Sequence, residues 1–95
     1  MALRSKVLSA SGEISAAAGA IYSITVEGSV AANTVEVREG SAAGVGGTVI
    51  WTGDFTPTFV DTRHYSFPEG LSFRSNSYCN IANATQVSFT LRDNA

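Results

Sequence analysis

The stretch that decides the fold class is Ala20-Ile21-Tyr22-Ser23-Ile24-Thr25-Val26-Glu27-Gly28. Apolar and polar residues alternate along it, which predicts Tyr22, Ile24 and Val26 on one face and the polar residues between them on the other. A period of two places successive side chains on opposite sides of a β-strand. The stretch therefore predicts a strand with one face in a core and the other in water.

The same alternation recurs along the chain in short segments separated by Gly, Ser, Asn and Ala. The predicted strands are residues 6–11, 20–28, 34–39, 48–52, 58–67, 71–74, 78–82 and 85–92. Residues 14–19 are rich in Ala but carry no amphipathic stripe, so we predict a turn or an extended connection there. About seven to eight short strands without a long helix are typical of an all-β antiparallel β-sandwich or a jelly-roll-like fold.

The length and composition of the chain are those of one small domain. The 95 residues are enough for a single core. We predict an N-terminal arm or weak first strand over residues 1–19 and a β-sandwich domain over residues 20–95. Charged residues make up 15% of the chain, against about 25% in an ordinary soluble domain. A large interface, self-association, or a small β-protein rich in Ser and Thr each account for that low charge.

Several classes of partner are disfavoured by the sequence. The net charge is −2 and the six basic residues are scattered, whereas nucleic-acid binding needs a basic patch. No run approaches the roughly 20 apolar residues of a membrane span. The N-terminal apolar run is too short and too interrupted for a signal peptide, so we predict synthesis in a cytoplasm. A single cysteine, Cys79, excludes an internal disulfide, and we predict a small core or interface residue there.

His64 is the natural candidate for a general base, since the chain has one His. Asp61 lies three positions away, so in a strand the two side chains point to opposite faces and do not form a dyad. Ser66 shares the face of His64, about 7 Å along the strand. No motif supplies an orienting carboxylate or an oxyanion site, however. We therefore predict no catalytic residue, and a surface or interface role for His64.

Motifs for metals and cofactors are also missing from the sequence. One Cys and one His do not make a structural zinc site, and no Asp-rich loop suggests calcium. The Gly-rich stretch at residues 40–47 runs into strand-like residues, whereas a phosphate-binding loop needs a following helix. The scattered carboxylates are predicted to be solvated rather than paired for glycosidic chemistry. We predict no enzyme activity, no metal and no cofactor.

Aromatic residues offer an alternative surface function, because exposed rings stack on sugar faces. Most aromatic side chains of so small a domain are expected in the core. The candidate rings for a sugar platform are Trp51, Phe55, Phe59, Tyr65, Phe67 and Tyr78. Trp51 has the strongest claim to exposure or to an interface, because it is predicted on the strand face opposite Thr48, Ile50 and Thr52. The candidate interaction residues of the whole chain are Arg4, Lys6, Trp51, Phe55, His64 and Tyr65.

Two groups of motifs in chain order carry a resemblance to a known family. The first is Tyr22-Ser23-Ile24-Thr25-Val26, then Thr34-Val35-Glu36-Val37-Arg38-Glu39-Gly40-Ser41-Ala42-Ala43-Gly44, then Gly47-Thr48-Val49-Ile50-Trp51. The second is Phe67-Pro68-Glu69-Gly70-Leu71-Ser72-Phe73, then Asn83-Ala84-Thr85 leading into Val87-Ser88-Phe89-Thr90-Leu91. Over roughly residues 20–92 the chain resembles small β-sandwich proteins of tailed bacteriophages, among them head decoration (cement) proteins.

This resemblance implies a function without catalytic residues. The expected function is that of a virion structural protein on the capsid exterior, commonly a homotrimer, which ties neighbouring major capsid proteins together. The expected partner is then the major capsid protein, with no nucleic acid and no membrane. The first alternative is a receptor- or carbohydrate-binding module of a phage tail or head fibre, whose partner would be a cell-surface glycan, and the second is an unrelated enzyme accessory domain. Both expectations are analogies at the level of the fold.

Overall fold

A computed structural model describes residues 3–28, 33–40, 46–55, 62–84 and 86–93, with only the backbone of Asp54 and Phe55. Within these ranges the chain forms eight β-strands and no helix, which confirms the predicted all-β class. The strands are β1 (Arg4–Leu8), β2 (Gly12–Ser15), β3 (Gly19–Glu27), β4 (Asn33–Glu39), β5 (Thr48–Phe55), β6 (Thr62–Phe73), β7 (Ser77–Ala82) and β8 (Gln86–Asp93).

The eight strands form two four-stranded antiparallel sheets. Sheet A has the order β1-β8-β3-β6 and sheet B the order β2-β7-β4-β5. The first strand therefore pairs with the last, the second with the seventh, the third with the sixth and the fourth with the fifth. This nested pairing is a long hairpin rolled onto itself, which is the topology of a jelly roll. The predicted antiparallel sandwich is confirmed.

The core lies between the two sheets and is built from the inward side of each strand. Its fully buried members come from both sheets: Ile14, Ile21, Ile24, Val26, Val35, Val37, Phe73, Cys79, Val87, Phe89 and Leu91. On β8 the inward residues alternate with half-buried polar residues along the whole strand. Burial of aliphatic and aromatic side chains at alternate positions is the main stabilising contribution in such a sandwich.

Residues 1–19 contribute the first strand of each sheet. The predicted strand at residues 6–11 lies instead at Arg4–Leu8, and β2 forms at Gly12–Ser15, where no strand was predicted and a turn or extended connection was expected from residue 14. Local pattern is weak in both strands, but β1 pairs with β8 over five residues and β2 pairs with β7. Ile14 in β2 is only 2% exposed. Tertiary pairing and burial therefore create strands that propensity does not indicate.

Tyr22 lies on a different side of β3 from the one that strict alternation predicts. The register with β8 moves from Ile21 opposite Leu91 to Ser23 opposite Thr90, which leaves Tyr22 as the extra residue of a β-bulge. Ile24 and Val26 enter the core as predicted. The Tyr22 ring is half-buried and lies beneath the Arg92 guanidinium, 5.9 Å from it. The bulge therefore moves an aromatic ring out of the core.

Strand β6 joins two segments that were predicted as separate strands. Its register with β3 moves from Ser66 opposite Ser23 to Leu71 opposite Ile21, so residues 67–70 bulge from the ladder. Proline has no N–H to donate, and a bulge in the terminal strand of a sheet is where a residue such as Pro68 is tolerated. Residues 58–61 of the predicted strand lie outside the described residues.

Candidate functional site: the outer face of sheet A

The candidate interaction residues do not form one site. Arg4 and Lys6 lie on β1, at the side of the sandwich where β1 and β2 meet. Trp51 and Tyr65 lie at the opposite side, between β5 and β6, and His64 points outward from sheet A. The backbone of Phe55 pairs with Asn33 at the end of β5, and its side chain lies outside the described part of the chain.

Arg4 links the two sheets at the β1 and β2 side. Its Nε donates to Asp93 Oδ2 at 2.5 Å, and its Nη2 donates to Asp93 Oδ1 and to the carbonyl oxygen of Ile14, both at 3.2 Å. The Ser15 hydroxyl donates to the same Asp93 carboxylate. We call Arg4, Ser15 and Asp93 the N-terminal clamp. Lys6 is half-buried and lies opposite Phe89 of β8, on the inward side of β1.

The N-terminal clamp predicts an acid-sensitive contribution to stability. Hydrogen bonds from Arg4 and then from Ser15 lower the pKa of Asp93 below its usual value. A carboxyl group whose pKa is lower in the folded state stabilises the fold above its unfolded pKa of about 3.9 and loses that contribution as the pH falls through the folded pKa. The Arg4 and Asp93 side chains are 42% and 25% exposed. Because water screens such a pair, we expect it to contribute about 1 kcal/mol to the free energy of unfolding.

Urea unfolding of the wild type and of Asp93→Asn at several pH values measures this contribution. We expect the variant to be less stable by about 1 kcal/mol at pH 7 and the difference to vanish near pH 2. The matched control is Glu36→Gln, because hydrogen bonds from Arg38 and Asn80 also lower the pKa of Glu36. A stability difference for Asp93→Asn that is the same at pH 2 and pH 7 would contradict the ionic role of the clamp.

Aromatic rings close the opposite side of the sandwich. Trp51 and Tyr65 meet edge to face, with ring centroids 5.2 Å apart and an interplanar angle of 62°, and Phe67 lies at 6.4 Å from Trp51 with an angle of 84°. All three rings are half-buried and pack against the core. Trp51 pairs with buried Val37, so it lies on the inward side of β5 and packs against the core, and the prediction of an exposed ring is wrong. The three rings are mutually inclined and do not form a flat stacking platform.

His64 is exposed on β6 and bound by two hydroxyl groups. Its Nδ1 lies 2.7 Å from Thr25 Oγ1 on β3, and its Nε2 lies 3.2 Å from Ser66 Oγ. His64 and Ser66 therefore share a face, and the two hydroxyls occupy both ring nitrogens. Asp61 lies outside the described residues. Across the ranges that the structure describes, no cluster of three His, Cys, Asp or Glu residues is arranged to hold a metal ion.

Cys79 is a core residue, as its small size and strand position predict. The thiol is fully buried, and burial, followed by the negative charge of Glu36, raises the pKa of Cys79 to about 12. Thiols are nucleophilic as thiolates, so this residue has no reactive form near neutral pH.

Among the described residues, no helix has the length and apolar character needed to cross a membrane.

The outer face of sheet A is lined by hydroxyl side chains. Strand pairing aligns them in rows that run across the sheet. One row consists of Ser5, Thr90, Ser23 and Ser66. The row next to it consists of Val7, Ser88, Thr25 and His64. A third row holds Gln86, Glu27 and Thr62, and a fourth holds Arg92, Ala20 and Ser72. We call these four rows the hydroxyl face. Its charged residues, Glu27 and Arg92, stand in the two end rows, so its middle is free of permanent charge.

The outer face of sheet B has a different character. Its rows contain Glu13, Glu36 and Arg38, all on the paired part of the sheet. Glu36 accepts hydrogen bonds from Arg38 Nε and Asn80 Nδ2, at 2.5 and 3.1 Å, and Arg38 Nη1 donates to the carbonyl oxygen of Gly46. A charged, internally paired surface of this kind is well suited to water. The two broad faces of the sandwich therefore differ in charge.

The hydroxyl face was not predicted as a site, although its members alternate visibly along each strand. Ser23 and Thr25 on β3, and Ser88 and Thr90 on β8, occupy the polar positions of confidently periodic segments. The missing information was which strands are neighbours. The pairing of β8 with both β1 and β3 turns separate polar stripes into one continuous surface.

Across the described residues these features define an eight-stranded jelly-roll sandwich with one broad face whose two middle rows carry no permanent charge and one broad face that is charged. The chain matches no protein-family model, no curated protein and no solved structure. The hydroxyl face is therefore the starting point for a functional proposal.

Proposed function

We propose that this protein is a virion structural protein without enzymatic activity, a capsid decoration or cement subunit that docks on the outer surface of a phage head and stabilises contacts between major capsid proteins. The observation that carries the proposal is the hydroxyl face. The centres of protein interfaces are depleted in charged residues, and the two middle rows of this face hold none. The charged outer face of sheet B then points to solvent.

Side-chain contacts that close both sides of the sandwich support its proposed use as a docking platform. The N-terminal clamp joins β1, β2 and β8 on one side, and the aromatic rings of β5 and β6 close the other side. A platform that is ordered before binding loses little conformational entropy when it docks. Ser and Thr side chains also have few rotamers to lose compared with Lys or Glu.

The size of the hydroxyl face supports a multivalent mode of attachment. The four rows hold fourteen residues, and strands about 4.8 Å apart with same-face residues about 6.8 Å apart give them an area of roughly 450 Å². A stable interface buries about 800 Å² on each partner, so one copy docks weakly. In a homotrimer, as the resemblance implies, three linked faces dock together and the combined attachment is far stronger than one contact.

Co-sedimentation with heads that lack this protein tests the proposal. Ser88 lies between Val7 and Thr25 in the middle of the hydroxyl face, so Ser88→Arg places an unpaired charge at the centre of the interface. We expect this variant to lose docking by about 100-fold, because burying an unpaired charge costs several kcal/mol. The matched control is Thr52→Arg, which adds the same charge on the exposed outer face of sheet B and should dock like the wild type.

Three results would count against the proposal. Equal losses for Ser88→Arg and Thr52→Arg would show that the hydroxyl face does not dock, and no sedimentation of the wild type with heads would remove the capsid function altogether. Light scattering that reports only monomer at high micromolar concentration would contradict the homotrimer. The neighbouring genes give an independent check, since a decoration subunit is expected beside the major capsid gene.

A further inference from the structure

We infer that a notch along the bulge of β6 receives an arginine side chain of the protein on which the hydroxyl face docks. This inference rests on the proposed function. The described residues that line the notch are Ser66, Phe67, Pro68, Glu69 and Gly70, and we call it the β6 notch. Ser66 also belongs to a middle row of the hydroxyl face. The β6 notch therefore opens beside the part of the face that we propose to dock.

The size and walls of the β6 notch suit one long side chain. Its volume is about 380 Å³, close to the lower end of the roughly 300–1,000 Å³ found for small-molecule pockets. Exposed Pro68 and half-buried Phe67 give it apolar walls, while the Ser66 hydroxyl and the Glu69 carboxylate are polar. Arginine matches this combination, because its apolar stem packs on carbon surface while its charged tip reaches a polar group.

The charge of the β6 notch comes from Glu69, whose side chain is exposed. Its described lining residues include no Lys or Arg. The ion pairs that the structure describes lie in the N-terminal clamp and on the outer face of sheet B, away from the notch. A carboxylate accepts hydrogen bonds at both oxygens. The β6 notch therefore offers an acceptor for a cation that a partner brings.

Tyr22 fixes the β6 notch in place and stands between it and Arg92. A Cβ atom on Gly70 would lie 3.2 Å from Tyr22 Cε1, so the backbone of the bulge packs closely on the ring. Gly70 has a φ of +83°, in the left-handed region that favours glycine. Arg92 approaches the same ring from β8, on the other side of β3. The notch is thus formed before docking, which lowers the entropy lost on binding.

Arginine fits a docking interface better than lysine. A guanidinium group is planar, binds a carboxylate through two parallel hydrogen bonds and is less strongly hydrated than an ammonium group. Protein interfaces are also enriched in Arg and depleted in Lys. Docking beside the notch removes water from Glu69, and a carboxylate that loses water requires a cation to compensate it. Such a charge pair at the margin of an uncharged face also fixes the orientation of the docked subunit.

Titration of the isolated protein with N-acetylarginine amide, followed by NMR, tests the β6 notch without heads. We expect the amide signals of the notch residues to shift at millimolar concentrations of this probe. N-acetylcitrulline amide has nearly the same shape without the charge and should leave these signals unchanged. Glu69→Gln should abolish the response to the arginine probe. The matched control is Glu13→Gln, which removes an exposed carboxylate from sheet B and should respond like the wild type.

Binding of the same variants to purified heads tests the partner's arginine. We expect Glu69→Gln to bind about tenfold more weakly than the wild type and Glu69→Lys to bind more weakly still. Glu13→Gln and Glu13→Lys should bind like the wild type. Urea unfolding of each variant distinguishes lost docking from lost folding, since Glu69 and Glu13 are both exposed.

Two results would overturn the inference while leaving the proposed function intact. One is an equal response of the notch signals to the arginine and citrulline probes. The other is binding of Glu69→Gln to heads as tight as that of the wild type. Absence of wild-type binding to heads would overturn the proposed function and the inference with it.

Discussion

Gly19→Ala is expected to lower the free energy of unfolding by about 3 kcal/mol. A Cβ atom on Gly19 would clash with the carbonyl oxygen of Arg92 and would lie 3.1 Å from both the Arg92 carbonyl carbon and Asp93 Cα. These atoms belong to the backbone of β8, which cannot move away without separating the two central strands of sheet A. The strain also falls beside the N-terminal clamp, since Gly19 pairs with Asp93.

Gly12→Ala is the matched control for this prediction. A Cβ on Gly12 would meet the flexible end of the Leu8 side chain at 3.2 Å, and the nearest backbone atom lies at 3.8 Å. A small rotation of Leu8 relieves that contact, so we expect a change within about 1 kcal/mol. Urea unfolding followed by Trp51 fluorescence measures both variants. Similar losses for the two would show that the close approach at Gly19 does not limit stability.

Trp51→Ala is expected to lower the free energy of unfolding by about 2–3 kcal/mol, below the 3–5 kcal/mol of a fully buried ring. The indole packs edge to face on Tyr65 and lies next to Phe67, and these contacts cross from sheet B to sheet A. Truncation therefore opens the β5 and β6 side of the sandwich and exposes the core beneath. Trp51→Phe retains a ring in the same place and should recover about half of the loss.

Val49→Ala is the control on the same strand. Val49 is 40% exposed on β5, so its truncation should change stability by no more than about 0.5 kcal/mol. Unfolding must be followed by circular dichroism, because Trp51 is the single tryptophan of the chain. If Trp51→Ala were as stable as the wild type, the ring would not close the sandwich. A role as an exposed sugar-stacking residue would then regain support.

Much of the architecture is readable from local pattern, and its failures have physical causes. Alternation correctly places Ile24 and Val26 in the core and indicates most of the strands. Alternation fails at Tyr22. A β-bulge makes Tyr22 the extra residue of β3, so its side chain points away from the core instead of into it. Alternation also fails at β2 because four residues have too little periodicity to be recognised, and their pairing with β7 supplies the missing stabilisation.

The candidate site was less predictable than the fold. The relation between His64 and Ser66 was predicted because two residues on one strand share a face. The contact of His64 with Thr25 was not predicted, because the two residues are 39 positions apart in the chain and meet only through the pairing of β3 with β6. Arg4 was predicted as a contact residue for a partner, and the structure shows its guanidinium bound to Asp93, 89 positions away.

The amino-acid pattern alone establishes the all-β class, the inward residues of the main strands and the absence of recognisable catalytic and metal-binding motifs. The first two properties follow from the two-residue period of a strand, and the third follows from residue counts and spacing, so all three are local. Which strands are neighbours was decided only by the folded chain, since backbone hydrogen-bonding groups are alike in every strand and pairing is selected by packing of the whole core. The jelly-roll order, the N-terminal clamp and the hydroxyl face all depend on that selection, because each joins residues from both ends of the chain.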